Sequence, residues 1–401
     1  MRIGILHRAD VTDLRTLSGA PCFMAKALEE HVGEVVYLSP DDSLVTIMIE
    51  DAGRCLDHVS HALLGRHISC GHNRILSKRL AYIFTPRVAQ SGCDVIFAPQ
   101  ASVELAYIST DIPIIYFSDL TWANIVDYYP GCTRLFEFAR VEGERIEAAA
   151  LSKASALVFP STWAANTAIA HYKTDARKVH CIPYGANFER ADLPNREAAM
   201  HHPLDGVLRL LWIGVDWVRK GGPTAHECLM ELLRKGVDAR LMVCGCVPPR
   251  RYRHPRIEVI PFLNKRDPAQ LHRLSRLFLV ADFFLFPTMA EASAIVLCES
   301  SAHGLPAIVR NTGGVGGVIT DGENGYLLPA DAEGKQYAEK ILEIVRDRSA
   351  YDDLVRRSRL AYEERLNWDA WGRAMRPIFE QVKQDRSSHS ESREVSGASG
   401  K

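Results

Sequence analysis

Short apolar runs punctuate the chain. In the first half they fall at residues 3–6, 35–38, 94–98, 112–117, 157–159 and 179–182; in the second at 208–213, 240–244, 257–260, 283–286 and 306–309. Apolar runs this short, bounded by turn residues, read as buried strands. Between them the apolar positions recur at helical spacing, as at 21–30, 133–153, 161–172, 223–235, 267–277, 332–346, 351–365 and 368–382. Strands alternating with amphipathic helices predict parallel sheets joined by crossover helices, an α/β chain. The alternation lapses over residues 185–206, which are polar, carry Pro194 and Pro203, and read as a linker.

The stretch 283–317 holds the densest chemistry. Phe283 to Phe286 is a strand that Pro287 stops, Ser293 is placed to cap an apolar helix, Gly304 ends that helix, and the run at 306–309 is the next strand. Glu291 lies in the loop and Glu299 in the helix, with seven residues between them. Eight helical residues rise about 12 Å, roughly a sugar, a pyrophosphate and a ribose laid end to end. The helix N-terminus between the acids offers N–H groups to an anion. Two acids on a solvated helix face are the plainer reading. Against it, Glu299 sits among Ile295, Val296, Leu297, Cys298 and Ala302, and a carboxylate there requires a partner that the local sequence does not supply.

The segment E-A-S-A-I-V-L-C-E, followed by A-H-G-L-P and N-T-G-G-V, resembles the E-x7-E signature of the GT-B retaining glycosyltransferases of the GT4 type. The resemblance covers roughly residues 15–30 and 110–383. It implies two Rossmann-like doubly wound domains facing a cleft, with a last helix crossing back onto the first. It also implies that Glu291 contacts hydroxyls of a donor sugar and that Glu299 contacts the ribose of its nucleotide. Ala292, Ser293 and Ala294 stand where the family often has Gly-Phe-Gly; backbone N–H groups of Ser293, Ala294 and Ile295 are the implied donor contacts, and these small residues keep them accessible.

Other stretches join this picture. After the run 208–213 comes G-V-D-W-V-R-K-G-G and a helix, a strand–turn–helix arrangement suited to an anion. Arg219 and Lys220 there supply cations that can offset charge on a departing diphosphate without a metal; two surface cations ahead of a helix are the plainer alternative. The segment resembles the family's G-x5-K-G, with Gly214 and Lys220 in place and Val215 where the family has Arg, so that Arg219 is the substitute. Phe262 lies at the turn implied to meet the nucleotide base, and Gly313 and Gly314 at a turn near the donor phosphates. In the first half, L-S-G-A-P-C-F resembles the family's Gly-bearing loop, which singles out Gly19, with Ser18 placed to cap the helix. Asp119, at the end of the run 112–117, is the expected acceptor-side residue, a helix N-cap being the alternative role.

Composition narrows the function classes. With 401 residues, two domains are expected, and a net charge of −1 gives no global reason to bind nucleic acid. Ten scattered cysteines without a CxxC pair read as reduced thiols, not a disulfide or zinc framework. Residues 1–6 are too short for a signal segment, and no apolar run reaches membrane-spanning length, so the expected place is the cytoplasm. Residues 54–87 are locally basic, with six Arg or Lys against Asp57 alone. They read either as a solvated helical face or as an acceptor or membrane-surface patch at the inner leaflet. G-G-V-G-G does not fit G-x-G-x-x-G, which disfavours a dinucleotide-dependent dehydrogenase.

The resulting expectation is a first domain at 1–184, a linker at 185–206, a nucleotide-sugar-binding domain at 207–366, a crossing helix at 367–384 and a disordered tail at 385–401. The implied activity is metal-independent transfer of a sugar from a nucleotide-diphosphate sugar to the hydroxyl of a glycan, a lipid-linked glycan or a small molecule. A nucleotide-sugar epimerase or phosphorylase on the same fold, or a non-catalytic sugar-nucleotide-binding protein, are the alternatives.

Overall fold

The computed structural model describes residues 1–39, 43–69, 71–202 and 204–398, with 389–398 described by backbone alone. Pro203 and residues 399–401 lie outside the described residues. The chain divides into two compact units, Met1–Ile182 with Trp371–Lys401, and Pro183–Ala370.

The first unit is built on six strands: β1 (Arg2–Ile5), β2 (Glu34–Tyr37), β3 (Val95–Pro99), β4 (Ile114–Phe117), β5 (Ala156–Phe159) and β6 (Val179–Cys181). They form one parallel sheet in the order β2-β1-β3-β4-β5-β6. The central strands β3, β4 and β5 are buried along their whole length, because helices cover both faces, and this is why they read as unbroken apolar runs. The helix Trp368–Ala398 closes one face: Trp371 meets Phe97 and Phe117 edge-on at 6.0 and 5.9 Å, and Phe379 lies 6.1 Å from Phe97. Residues from 385 on were expected to be disordered; the helix instead continues. Lys383 pairs with Asp94 at 3.1 Å, and Arg386 donates to the Asp94 carbonyl at 3.1 Å. Ser387 and Ser388 hydroxyls donate to carbonyls one turn back, at 3.3 and 3.2 Å, so these serines satisfy themselves within the helix.

The second unit carries β7 (Leu208–Ile213), β8 (Ala239–Cys244), β9 (Ile257–Ile260), β10 (Phe283–Phe286), β11 (Ala307–Arg310) and β12 (Gly325–Leu328), all parallel, in the order β12-β11-β10-β7-β8-β9. The chain begins at the sheet centre, runs to one edge through β8 and β9, and returns beside β7 with β10, Phe283 opposite Leu210. That reversal between β7 and β10 is a topological switch point, outside whose strand ends open α/β sheets take their ligands.

The segment 185–206, read as a linker, is part of this unit. Ala186 N–H donates to the Leu366 carbonyl at 3.0 Å, and the Trp368 indole donates to Asn187 at 3.0 Å. His202 is buried, its ring nitrogens 2.7 and 3.2 Å from the carbonyls of Ala281 and His303. Its backbone is irregular, so no period marks it, yet Tyr184, Phe188 and Ala199 are core residues.

Candidate functional site

The turn after β7 is shaped by its own short-range bonds. Asp216 accepts the N–H groups of Val218 and Arg219 at 3.1 and 3.0 Å, and the Trp212 indole donates to the Lys220 carbonyl at 3.0 Å. Trp217 packs on Trp212 with ring centroids 5.1 Å apart. Gly214 packs tightly in this turn: an added Cβ would lie 2.9 Å from the Trp212 ring and 3.0 Å from the Lys220 Cγ. The loop after β10 is laced to this turn: Met289 N–H donates to the Arg219 carbonyl at 2.8 Å and the Thr288 hydroxyl to the same oxygen at 3.3 Å. Gly221, at φ 75°, touches that loop so closely that a Cβ would lie 1.9 Å from the Pro287 oxygen.

This lacing brings together three residues singled out by sequence. The Lys220 ammonium pairs with the Glu291 carboxylate and lies 5.0 Å from the Phe286 ring centroid. The Arg219 guanidinium donates to the Ala290 carbonyl at 3.0 Å and stands 3.9 Å from the Glu291 carboxylate. The Glu291 carbonyl accepts from Gly314 N–H at 3.1 Å. The turn bearing Gly313 and Gly314 thus meets the acid loop, with the Gly314 donor already spent on it. The expected anion cradle after β7 is corrected in the same way: the N–H groups of Gly214, Gly221 and Gly222 bond the carbonyls of Cys244, Val218 and Trp217. Those three amides are spent within the turn, which leaves the Arg219 and Lys220 side chains as its cationic groups. Val215 is exposed and apolar.

The helix carrying Glu299 is Ile295–Ala302, with Ala294 at its N-cap. Ser293, the expected cap, is outside it; its hydroxyl is buried and has no hydrogen-bond partner among the described residues. Glu299 therefore lies one turn into the helix, and the two acids are not joined by eight helical residues. Its missing partner is Lys265, in the loop after β9. Lys265 pairs with the Glu299 carboxylate, reaches the Asn187 carbonyl at 3.3 Å and lies 4.9 Å from the Phe188 ring. Burial pushes the Glu299 carboxyl above its ordinary value, and the Lys265 ammonium and a backbone bond from Asn187 pull it back. Lys265 and Asn187 were missed by sequence reasoning. The only signal was position, since each lies a few residues past a strand end. Phe262, also past β9, is 65% exposed, an apolar ring on the surface. His303 of the H-G-L-P run bonds the Glu299 carbonyl at 2.8 Å and the Ser275 hydroxyl at 2.9 Å, and burial pushes it down to about 4, so it is a neutral structural group.

In the first unit, Gly19 and Asp119 follow β1 and β4. Gly19, not Ser18, is the N-cap of the helix Ala20–His31, at φ 84°, after Leu17 and Ser18, also left-handed. Asp119 is not a cap either: Thr121 and Asn124 form a capping box on Trp122–Ile125. In the same unit, Arg8 N–H donates to the buried Glu104 carboxylate at 3.2 Å, and His72 packs on Trp122 at 4.6 Å, burial pushing it to about 4. Arg8 and Glu104 gave no sequence signal, because each is an isolated residue in an ordinary stretch, and His72 lay in the basic stretch 54–87 without a motif to single it out.

Residues 228–361, which hold Lys265, both acids and the Gly313–Gly314 turn, match the model of the glycosyl transferases group 1 family. The chain is 25% identical over 263 residues to D-inositol 3-phosphate glycosyltransferase of Xylanimonas cellulosilytica, covering 62% of this chain and 61% of that protein. It is 29% identical over 124 residues to spore coat protein SA of Bacillus subtilis, covering 31% and 32%. The chain thus spans from a third to three fifths of the length of these curated relatives. The fold extends further. Sucrose-phosphate synthase of Thermosynechococcus elongatus superposes with a TM-score of 0.63 at 16% identity, over 95% of this chain and 98% of that one. Anabaena HepE, solved with UDP and glucose, gives 0.60 at 14%, over 95% and 100%. At these identities the likeness is one of fold, GT-B with two parallel α/β sheets.

Proposed function

We propose that this protein transfers a glycosyl group from a nucleotide-diphosphate sugar to an acceptor hydroxyl, with retention at the anomeric carbon and without a metal ion. The observation that carries the reading is the convergence at the second sheet's switch point of Lys220 and Arg219 on Glu291, with a second pair, Lys265 and Glu299, in the same unit. The family of residues 228–361 and the printed activity of the Xylanimonas relative support it.

In this reading Glu299 accepts hydrogen bonds from the ribose and Glu291 from hydroxyls of the sugar. Backbone N–H groups of Ser293, Ala294 and Ile295, with the orphan Ser293 hydroxyl, meet the donor, Gly313 lies near the phosphates, and Phe262 neighbours the base. The acceptor oxygen bonds to the anomeric carbon on the face from which the diphosphate departs, the carbon–oxygen bond to phosphate breaks, and the acceptor proton passes to the leaving phosphate oxygen. Arg219 and Lys220 offset the charge that develops there. Gly19 and Asp119 belong to the acceptor side.

The first test is a thermal-shift screen against nucleoside diphosphates and their sugars; a ligand at 100 times its Kd adds about 2.7 kcal/mol. With the stabilising sugar nucleotide as donor, diphosphate release is expected to fall by about 100-fold or more in Lys220→Ala and Glu299→Ala. It is expected to persist in excess chelator. Full turnover in both folded variants overturns the reading, and loss of turnover on chelation overturns its metal-independent form.

A further inference from the structure

The helix Leu44–Leu64 carries its apolar side outward. Leu44, Met48, Ala52, Cys55, Val59 and Leu63 follow one another at steps of three or four residues, which lines them along one face. All six are exposed, Leu44 at 76% and Leu63 at 77%. The two buried positions are polar, Thr46 and Ser60. The Ser60 hydroxyl donates to the Arg66 carbonyl at 2.8 Å, and half-buried Asp57 accepts Ile68 N–H at 2.6 Å and pairs with His67 at 3.0 Å. A helix on a water-soluble domain ordinarily buries its stripe and shows its polar side. Here, over 21 residues and about 32 Å of helix, the stripe faces outward, and among the described residues Ile49 alone of the helix's apolar side chains packs on the core, from a half-buried position.

The neighbouring helix Arg74–Gln90 extends the face. Arg79 donates to Ser43, the N-cap of Leu44–Leu64, at 2.8 Å. Ile75, Lys78 and Tyr82 are exposed, with the Arg79 guanidinium 5.5 Å from the Tyr82 ring and the Lys78 ammonium 5.8 Å from that of Tyr107. Over residues 43–90 six Lys or Arg stand against three acids. Those acids are engaged: Glu50 with Arg8 at 3.3 Å, Asp51 with Arg54, and Asp57 as above.

We propose that this face docks on an anionic lipid surface. The helix lies in the plane of the headgroups, its aliphatic stripe at the acyl boundary, Tyr82 at the interface and Lys78 and Arg79 against the lipid charge. Charge selects lipid as the occupant: the stripe itself carries no aromatic residue, the adjoining helix adds the exposed Lys78 and the Arg79 that bonds the N-cap Ser43, and the acids over residues 43–90 are engaged. Crossing is not at issue, since no helix among the described residues is long and apolar enough to span a membrane.

The test is co-sedimentation of the full chain with vesicles of phosphatidylcholine alone or mixed equally with phosphatidylglycerol. The wild-type chain is expected to pellet with the mixed vesicles. A Met48→Glu, Leu63→Glu double variant, altered only at exposed positions, is expected to lose binding by about tenfold or more with unchanged circular dichroism, and Lys78→Glu to bind more weakly than wild type. Wild type that stays in solution with both vesicles, or a double variant that binds undiminished, overturns the proposal. So does a dimer in light scattering that the double variant abolishes in the absence of vesicle binding, which assigns the face to a second copy. None of these readouts involves turnover, so they stand apart from the donor chemistry.

Discussion

Replacing Lys265 by Met isolates what holds Glu299 in place. Met keeps an unbranched stem near the Phe188 ring and removes the charge. The Glu299 side chain is 6% exposed and that of Lys265 31%. Breaking a fully buried pair by removing one partner costs about 3–5 kcal/mol. The partly open Lys265 end and the option of protonating Glu299 bring the expectation down to about 2 kcal/mol at pH 8. For a unit of this size that is a fall of about 4–8 °C in melting temperature. The deficit has a required pH dependence. Glu299 is already raised above the ordinary 4.5 by burial, with Lys265 opposing; without Lys265 it rises further. A group raised on folding contributes its full stability below the unfolded value and loses it as the pH climbs through the folded one. The variant is therefore expected to melt nearly with wild type close to pH 4.5 and to fall behind as the pH rises to 8. Adding Glu299→Gln to Lys265→Met, which removes both charges, is expected to recover most of the loss. Melts by differential scanning fluorimetry at a series of pH values read all three chains. A deficit independent of pH, or none at pH 8, refutes the assignment of Lys265 as the counter-ion that keeps Glu299 ionised.

Two further outcomes follow from the same geometry. Glu147 is buried against Tyr116, whose hydroxyl is 3.4 Å away, and burial pushes its carboxyl to about 7; the first unit is thus expected to lose stability from pH 4.5 through about 7, and Glu147→Gln to flatten that slope in denaturant titrations. Gly221→Ala introduces a side chain at φ 75° and against the Pro287 oxygen. It is expected to cost about 2 kcal/mol or more, to loosen exchange of the Met289 amide, which bonds the Arg219 carbonyl, and to leave amides of the first unit unchanged.

The strands and their order of appearance were legible because a parallel strand covered on both faces has to be apolar throughout, and the runs at 208–213, 257–260 and 283–286 coincide or nearly coincide with β7, β9 and β10. The basic turn after β7 and the acid loop after β10 were legible as chemistry, since both end strands. Their meeting was not: it depends on the chain reversing between β7 and β10, and sheet order is set by how helices pack over whole faces. Where the helix after β10 begins was misjudged, because Ser293 has the chemistry of a cap while its neighbours' packing leaves that hydroxyl buried and unpaired. The partner of Glu299 lies 34 residues earlier in another loop, a distance that no local pattern spans. The helix Leu44–Leu64 makes the same point most sharply. Its periodicity reveals an apolar stripe, but a stripe has the same spacing whether it turns inward or outward, and only the packing of Thr46 and Ser60 against the rest of the unit decides which.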